Sequence, residues 1–357
     1  MKVAVGISGG VDSAVAALLL KEAGHELVGV TMTLGRADEA KSLAEAREVA
    51  AWLGVPLHEL DLAEVWHRDV LAFATESYRA GQTPNPCVRC NERVKFNLLP
   101  RWAFETLGCD LFATGHYARV EHGRLFRGVD RAKDQSYFLY RVPHDILQRT
   151  LFPLGALTKA EVRARAKAAA FPVADHADSQ DFCGADPRLA LGDRPPTFGD
   201  RPHIDGDRPH GKGVCPQDGE IVTVEGKVIG HHDGYWHYTV GQRKGLGVGG
   251  GTPYYVISLD SAKNRVIVGT KAQSVCRSFR VSEFLFVGTD PRILGTDPTK
   301  GGPVPLFVKV RSAGEPRGPV TFDGEICQCP DGIAGVAPGQ SAVFYDGDEI
   351  VGGGVIS

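Results

Sequence analysis

A glycine-rich loop near the start of the chain has the residue types that bind phosphate groups. Residues 6–13 read GISGGVDS and join a predicted strand to a predicted helix, so backbone N–H groups and the helix N-terminus can surround an anion. Ser8 and Ser13 can donate hydrogen bonds to phosphate oxygens, whereas Asp12 would repel them unless Mg²⁺ lay between. No lysine follows the glycines, which excludes a Walker A loop.

The sequence TPNPCVRCN at residues 83–91 predicts a proline-stiffened turn that contains a CxxC pair, Cys87 and Cys90. Positive charge favours the thiolate form of cysteine. Three basic residues are close to the pair in sequence, namely Arg89, Arg93 and Lys95. This setting predicts reactive thiols rather than zinc ligands, because no second CxxC completes a four-ligand site.

The other six cysteines are spread along the chain. Cys183 ends the sequence DSQDFC near the end of a predicted α/β domain, on a loop-like segment from which it can face the phosphate site. We expect the remaining five to be buried, inert thiols: Cys109, Cys215, Cys276, Cys327 and Cys329.

A thiolate can carry sulfur as a persulfide, and a second thiol can release that sulfur by forming a disulfide. Adenylation makes a carbonyl oxygen a leaving group, so the two chemistries together predict thiolation of an amide-like C=O.

Alternating strands and helices must position these groups. Apolar periodicity and glycine stops predict strands at residues 2–6, 26–32, 55–60 and 111–114, and helices at 13–23, 38–53, 62–78, 96–107 and 159–170. The alternation predicts an α/β fold with a doubly wound parallel sheet.

Composition divides the 357 residues further. We expect an ATP-binding domain at residues 1–190, a flexible linker with three GDRP copies at 191–212, a small central β-rich domain at 213–274 and a C-terminal β barrel at 275–357. The net charge of −3 confines any RNA site to a local patch. The chain has no apolar run that predicts a membrane span, and its first residues already read as a strand, so we expect a cytoplasmic enzyme.

Two resemblances sharpen these predictions. SGGVDS matches the SGGxDS loop of the PP-loop ATP pyrophosphatases, which implies cleavage of ATP between its α and β phosphates and transfer of AMP to a substrate oxygen. Over nearly its whole length the chain resembles the MnmA family of tRNA 2-thiouridylases. The matching sequences are TPNP with Cys90-Asn91, TGHYAR at 114–119, KDQSYFL at 133–139, DSQ before Cys183, YTVGQRKGLG at 238–247 and APGQ at 337–340.

The resemblance implies that the wobble uridine of a tRNA anticodon arm enters an ATP site formed by the first domain. It assigns ATP binding to Gly6, Ile7, Ser8, Gly9, Gly10, Val11, Asp12, Ser13, Met32 and Gly115. It assigns tRNA contacts to His116, Lys133, Asp134, Gln135, Arg311, Ser312 and Gln340. Ser312 stands where the family often has an aromatic residue, which weakens that one correspondence. A sulfur-donor protein, such as a cysteine desulfurase or a sulfur-relay carrier, would be a second partner.

The resemblance leaves two routes for sulfur. In the persulfide scheme Cys183 carries the sulfur and Cys90 is the nucleophile in its release. Many members have Asp at the position of Cys87, and this departure allows Cys87, Cys90 and Cys183 to hold a 4Fe–4S cluster that binds hydrosulfide. A different PP-loop ligase would not need the thiols, and a non-catalytic iron–sulfur RNA-binding scaffold would not need the intact phosphate loop.

Overall fold

The computed structural model describes residues 1–36, 39–174, 176, 219–249, 251, 253–287 and 305–357. Cys183, Cys215 and the predicted linker at 191–212 lie outside the described residues. The strands of the N-terminal region are β1 (Lys2–Gly6), β2 (Glu26–Thr33), β3 (Leu57–Asp61), β4 (Leu111–Ala113), β5 (Ala118–Glu121), β6 (Arg124–Arg127) and β7 (Thr150–Leu151). Its α-helices are α1 (Val11–Glu22), α2 (Glu39–Leu53), α3 (Ala63–Trp66), α4 (Ala72–Arg79), α5 (Pro86–Cys90), α6 (Leu99–Thr106), α7 (His144–Leu147) and α8 (Lys159–Ala168).

The predicted parallel sheet is confirmed. Five strands pair in the order β3-β2-β1-β4-β7, with all four pairings parallel. The central strand β1 is buried on both faces, as expected for a parallel sheet covered by helices. Val3 and Val5 pack with residues of α1, α2 and α8, whereas Ala4 packs into a second core on the opposite face.

The segment after residue 82 differs from the prediction. We expected a proline-stiffened turn at residues 83–91 and a helix only from residue 96. Instead α5 begins at Pro86, where a missing N–H costs nothing, and the Asn85 side chain caps it by accepting a bond from the Val88 N–H at 3.3 Å. A π-helical segment, Asn91–Leu98, joins α5 directly to α6. A similar segment, His67–Leu71, joins α3 to α4 inside the predicted helix at 62–78.

The C-terminal half is built from strands, as predicted. The central strands are β8 (Gly219–Thr223), β9 (Val228–His232), β10 (Tyr255–Asp260) and β11 (Arg265–Gly269), paired in the order β10-β11-β8-β9. The last six are β12 (Val275–Phe286), β13 (Leu306–Lys309), β14 (Arg317–Phe322), β15 (Ile326–Ala334), β16 (Ser341–Asp346) and β17 (Glu349–Ile356). Pairing of β12 with β17 closes these six into a barrel. Within the residues that the structure describes, short 3₁₀ helices span Ser136–Phe138 and Tyr235–His237.

The barrel is connected to the N-terminal region by strand pairing and by a shared hydrophobic core. The β5–β6 hairpin lies within the first 190 residues but extends the barrel sheet through pairing of β6 with β17. The second core of the parallel sheet includes Phe112 and Tyr137 together with Val343, Tyr345 and Ile350 of the barrel. The two regions therefore share buried apolar surface. None of the helices in the described part of the chain has the length and apolar character needed to cross a bilayer.

Candidate active site

A cavity of about 450 Å³ opens at the carboxyl ends of β1, β2 and β4. Ligands of open parallel sheets bind at this edge. The residues of the predicted site that line the cavity are Gly6, Ile7, Ser8, Gly10, Val11, Asp12, Ser13, Met32, Cys87, Cys90, Gly115, His116, Lys133 and Gln135. Lys95, Asn91, Tyr117 and Lys159 are among the further lining residues. The fold thus brings the phosphate loop and both thiols of the CxxC pair to one pocket.

The phosphate loop is held in shape by its own serines. The Ser8 N–H donates to Ser13 Oγ at 3.2 Å, and the Ser13 hydroxyl donates to the Gly10 carbonyl at 2.9 Å. Gly9 has a φ of +80° and does not line the cavity. A Cβ on Gly9 would lie 2.7 Å from Glu45 Cβ, so this glycine lets the loop approach α2.

Asp12 forms an ion pair with Lys159, a residue that no sequence motif assigned to the site. The Lys159 ammonium donates to both Asp12 carboxylate oxygens, at 2.8 and 2.9 Å, and the Tyr117 hydroxyl donates to one of them at 2.8 Å. Lys159 is the first residue of α8, which has a Thr158–Glu161 capping box. The capping box predicts the helix start, but no local signal relates residue 159 to a loop 147 residues earlier.

Gly115 and His116 form the wall next to the loop. A Cβ on Gly115 would lie 2.7–2.8 Å from backbone atoms of Asp12 and Ser13, so this position requires glycine. The His116 Nδ1 is 2.8 Å from the Thr114 hydroxyl. Burial, and secondarily the charge of Lys95, lower the pKa of His116 well below its ordinary value. The imidazole therefore faces the cavity uncharged at neutral pH.

The two thiols lie on α5. Cys90 is buried and Cys87 is partly exposed, and both border the cavity. The Arg89 guanidinium donates to the Asp69 carbonyl at 3.2 Å and to Glu92 at 3.3 Å. Among the three predicted basic neighbours, only Lys95 is found along the cavity wall.

The residues assigned to tRNA lie in two places. Lys133 and Gln135 line the cavity, and between them Asp134 is buried, accepting bonds from the Gly128 and Ser136 N–H groups. A role of Asp134 in RNA binding would therefore act through the shape of its loop. On the barrel, Arg311 and Ser312 are exposed. The Gln340 amide donates to the Pro84 carbonyl at 3.3 Å, close to the thiol helix.

The remaining described cysteines behave largely as expected. Cys109, Cys327 and Cys329 are buried, and burial raises the pKa of the Cys109 thiol. Cys327 and Cys329 have their sulfur atoms 3.7 Å apart in the barrel core. The hydrogen bond with the Cys329 thiol and burial both raise the pKa of the Cys327 thiol. Cys276 is only partly buried, contrary to expectation, because it lies in the largely exposed first part of β12.

Comparison with known proteins assigns each region to a described domain. Residues 1–185 match the family model described as a tRNA methyl transferase HUP domain, residues 212–270 its PRC-barrel domain, and residues 277–356 an aminomethyltransferase beta-barrel domain. The tRNA-specific 2-thiouridylase MnmA of Parasynechococcus marenigrum is 40% identical, with 99% of this chain and 90% of that protein aligned. The protein of the same name from Picosynechococcus is 38% identical, with 99% and 98% aligned.

Proposed function

The chain belongs to the MnmA family of tRNA-specific 2-thiouridylases, and from this we propose that it adenylates the C2 carbonyl oxygen of the wobble uridine of a tRNA and then replaces that oxygen with sulfur. One observation supports this most directly: the phosphate loop and two thiols border the same cavity. An AMP-activated pyrimidine carbon and a sulfur nucleophile must meet in one pocket for the exchange to occur.

The phosphate loop would bind the α and β phosphates of ATP through backbone N–H groups and the Ser8 and Ser13 hydroxyls. Pyrophosphate is the leaving group when the uridine oxygen attacks the α-phosphorus. Lys159 lines the cavity and would neutralise charge on that leaving group, as the lysine of a Walker A loop does for bound phosphates. Asp12 would hold Mg²⁺, which prefers one or two carboxylates together with phosphates and water and supplies charge neutralisation when bound.

For sulfur delivery we favour the persulfide route. The terminal sulfur of a Cys183 persulfide leaves as hydrosulfide when the Cys90 thiolate attacks the Cys183 sulfur and forms a disulfide with it. Hydrosulfide then attacks C2 of the adenylated uridine, and AMP departs with the former carbonyl oxygen. A thiol reductant must reduce the Cys90–Cys183 disulfide before the next cycle. A sulfur-donor protein would reload Cys183.

A 4Fe–4S cluster is the alternative, and the described residues meet its requirement only in part. Cys87 and Cys90 border one cavity, as two ligands must, while the third, Cys183, lies outside the described residues. When bound, the cluster would supply an iron that binds hydrosulfide. Iron, labile sulfide and visible absorption of anaerobically purified protein distinguish the routes: near-stoichiometric cluster content favours the alternative, and its absence after anaerobic reconstitution favours the persulfide.

The activity is tested by two products measured together. Incubation with ATP and a tRNA carrying a wobble uridine should release pyrophosphate only when the tRNA is present, and should yield 2-thiouridine when a sulfur donor is added. Pyrophosphate release without tRNA dependence would argue for a different PP-loop ligase. Absence of both products would contradict the proposal. A cytoplasmic location, together with the tRNA substrate, is part of the same proposal.

Cys183→Ser separates the two half-reactions. We expect this variant to keep tRNA-dependent pyrophosphate release and to lose 2-thiouridine, because adenylation does not use the thiol. Cys109→Ser is the matched control, since that thiol is buried away from the cavity. Thiolation retained by Cys183→Ser would remove Cys183 from the mechanism.

A further inference from the structure

The barrel contacts the polypeptide immediately before the thiol helix. In the barrel turn formed by residues 337–340, the Pro338 carbonyl accepts a bond from the Thr83 N–H at 2.8 Å. The Gln340 amide donates to the Pro84 carbonyl at 3.3 Å. Two hydrogen bonds thus join the barrel to Thr83 and Pro84, which directly precede Asn85, the N-cap of α5.

The turn is itself fixed to the end of the barrel. The Gly339 N–H donates to the Ile356 carbonyl and the Ile356 N–H to the Gln340 carbonyl, both at 2.8 Å. Gly339 has a φ of +89°, and a Cβ there would lie 3.0 Å from Gln82 Cβ and 3.1 Å from Thr83 backbone atoms. Glycine therefore allows the turn to press against the segment with no side chain between them.

A second set of hydrogen bonds connects the same turn to residues that line the cavity. The buried Tyr137 hydroxyl donates to the Ser341 carbonyl at 2.9 Å and reaches the Gln340 side-chain oxygen at 3.5 Å. Next to Tyr137, the Phe138 carbonyl accepts a bond from the Asn91 amide at 2.9 Å. Asn91 follows Cys90 in sequence, so both ends of the thiol helix are connected to this set of contacts.

From this arrangement we propose that Gln340 is a positioning residue for the thiols. With the Pro338 carbonyl it fixes the start of α5, and so holds Cys87 and Cys90 against the nucleotide cavity before any tRNA is present. At its C-terminal end α5 continues directly into the π-helical segment Asn91–Leu98, so the contacts that remain to fix its first turn are those at its N-terminal end. The role of these thiols in sulfur transfer rests on the proposed function, but the positioning itself does not.

The test measures thiol reactivity without tRNA or ATP. The variant is Gln340→Met, which keeps the length of the side chain and removes its hydrogen bonds. The matched control is Gln328→Met, the same substitution at an exposed position of β15 in the barrel. Alkylation by N-ethylmaleimide is followed for each cysteine by mass spectrometry in the full-length protein. We expect the buried Cys90 to react about three- to tenfold faster in Gln340→Met, because losing the hydrogen bond to the Pro84 carbonyl shifts the local opening equilibrium by that factor.

The buried thiols Cys327 and Cys329 of the barrel core report whether the variant is generally loosened. Their alkylation rates should stay unchanged in Gln340→Met, and the rate of Cys90 should stay unchanged in Gln328→Met. An unchanged rate for Cys90 in Gln340→Met would overturn the proposal, whether or not tRNA binding weakens. An equal acceleration at Cys327 and Cys329 would also overturn it, since the effect would then be loss of barrel stability. Because the assay contains no substrate, failure of the proposed function leaves its outcome unaffected.

Discussion

Among single residues, the contact between Asp12 and Lys159 has the clearest consequence for the chemistry. A carboxylate in a phosphate loop opposes nucleotide binding unless a cation compensates it. Lys159 supplies positive charge at 2.8 Å, from a side chain that is only 13% exposed. If Mg²⁺ bound Asp12 as proposed, the same ammonium would be available to phosphate oxygens within the cavity.

Replacing Lys159 with methionine should lower the rate of tRNA-dependent pyrophosphate release about 100-fold or more, because charge developing on the leaving group loses a fixed cation. Lys167→Met, an exposed position on the same helix, is the control and should leave the rate unchanged. Rates are measured with saturating ATP and tRNA. A Lys159→Met enzyme within twofold of the natural rate would assign Lys159 to structure alone.

At the level of elements, the nucleotide site depends on how closely β4 approaches the phosphate loop. The residues after β4 pass so near the start of α1 that Gly115 has no room for a methyl group. The thiol helix is held in a comparable way, by the N-cap Asn85 and by the Asn91 amide. The close contact of Gly115 with the start of α1 and the hydrogen bond of Asn91 each connect two different elements of the fold. Both therefore depend on how those elements pack against each other.

We therefore expect Gly115→Ala to weaken ATP binding by about 1–3 kcal/mol, the usual cost of overpacking, because the added Cβ must displace the backbone of Asp12 and Ser13. Gly249→Ala, where a Cβ meets open space, is the control. Dissociation constants from calorimetric titration check this. Equal affinities in both variants would mean that the loop can shift without loss.

Considered as a whole, the molecule joins its N-terminal region to its barrel through a shared hydrophobic core. Tyr345 of the barrel is fully buried in a core that also contains Phe112 of β4. The hairpin β5–β6 belongs to the first region by sequence and to the barrel by strand pairing. The barrel therefore completes the core beneath the nucleotide site.

Removal of residues 275–357 should consequently leave a fragment that aggregates or is rapidly proteolysed, because apolar side chains of the shared core become exposed. The tyrosine hydroxyls of Tyr137 and Tyr140 would also lose their Ser341 partners. Size-exclusion chromatography and limited proteolysis, with the full chain as reference, measure this. A monomeric fragment that still binds ATP would show that the first region folds independently.

The sequence by itself predicted the parallel sheet, the phosphate loop, the CxxC pair and the C-terminal barrel. These features are encoded locally: apolar periodicity defines the strands, and a glycine pattern between a strand and a helix defines an anion site. It missed the start of α5 at Pro86, because two prolines near a cysteine pair are equally typical of a turn. It also gave no sign of the β5–β6 hairpin.

Only the tertiary structure brought Lys159 to Asp12, Gln340 to Pro84, and Tyr345 into the core that contains Phe112. The first pair is separated by 147 residues and the second by 256. Periodicity and propensity describe neighbours along the chain, whereas these contacts arise from how packed layers bring distant segments together. Charge, hydrogen bonding and buried area at the site were thus decided by the packing of the sheet, α8 and the barrel.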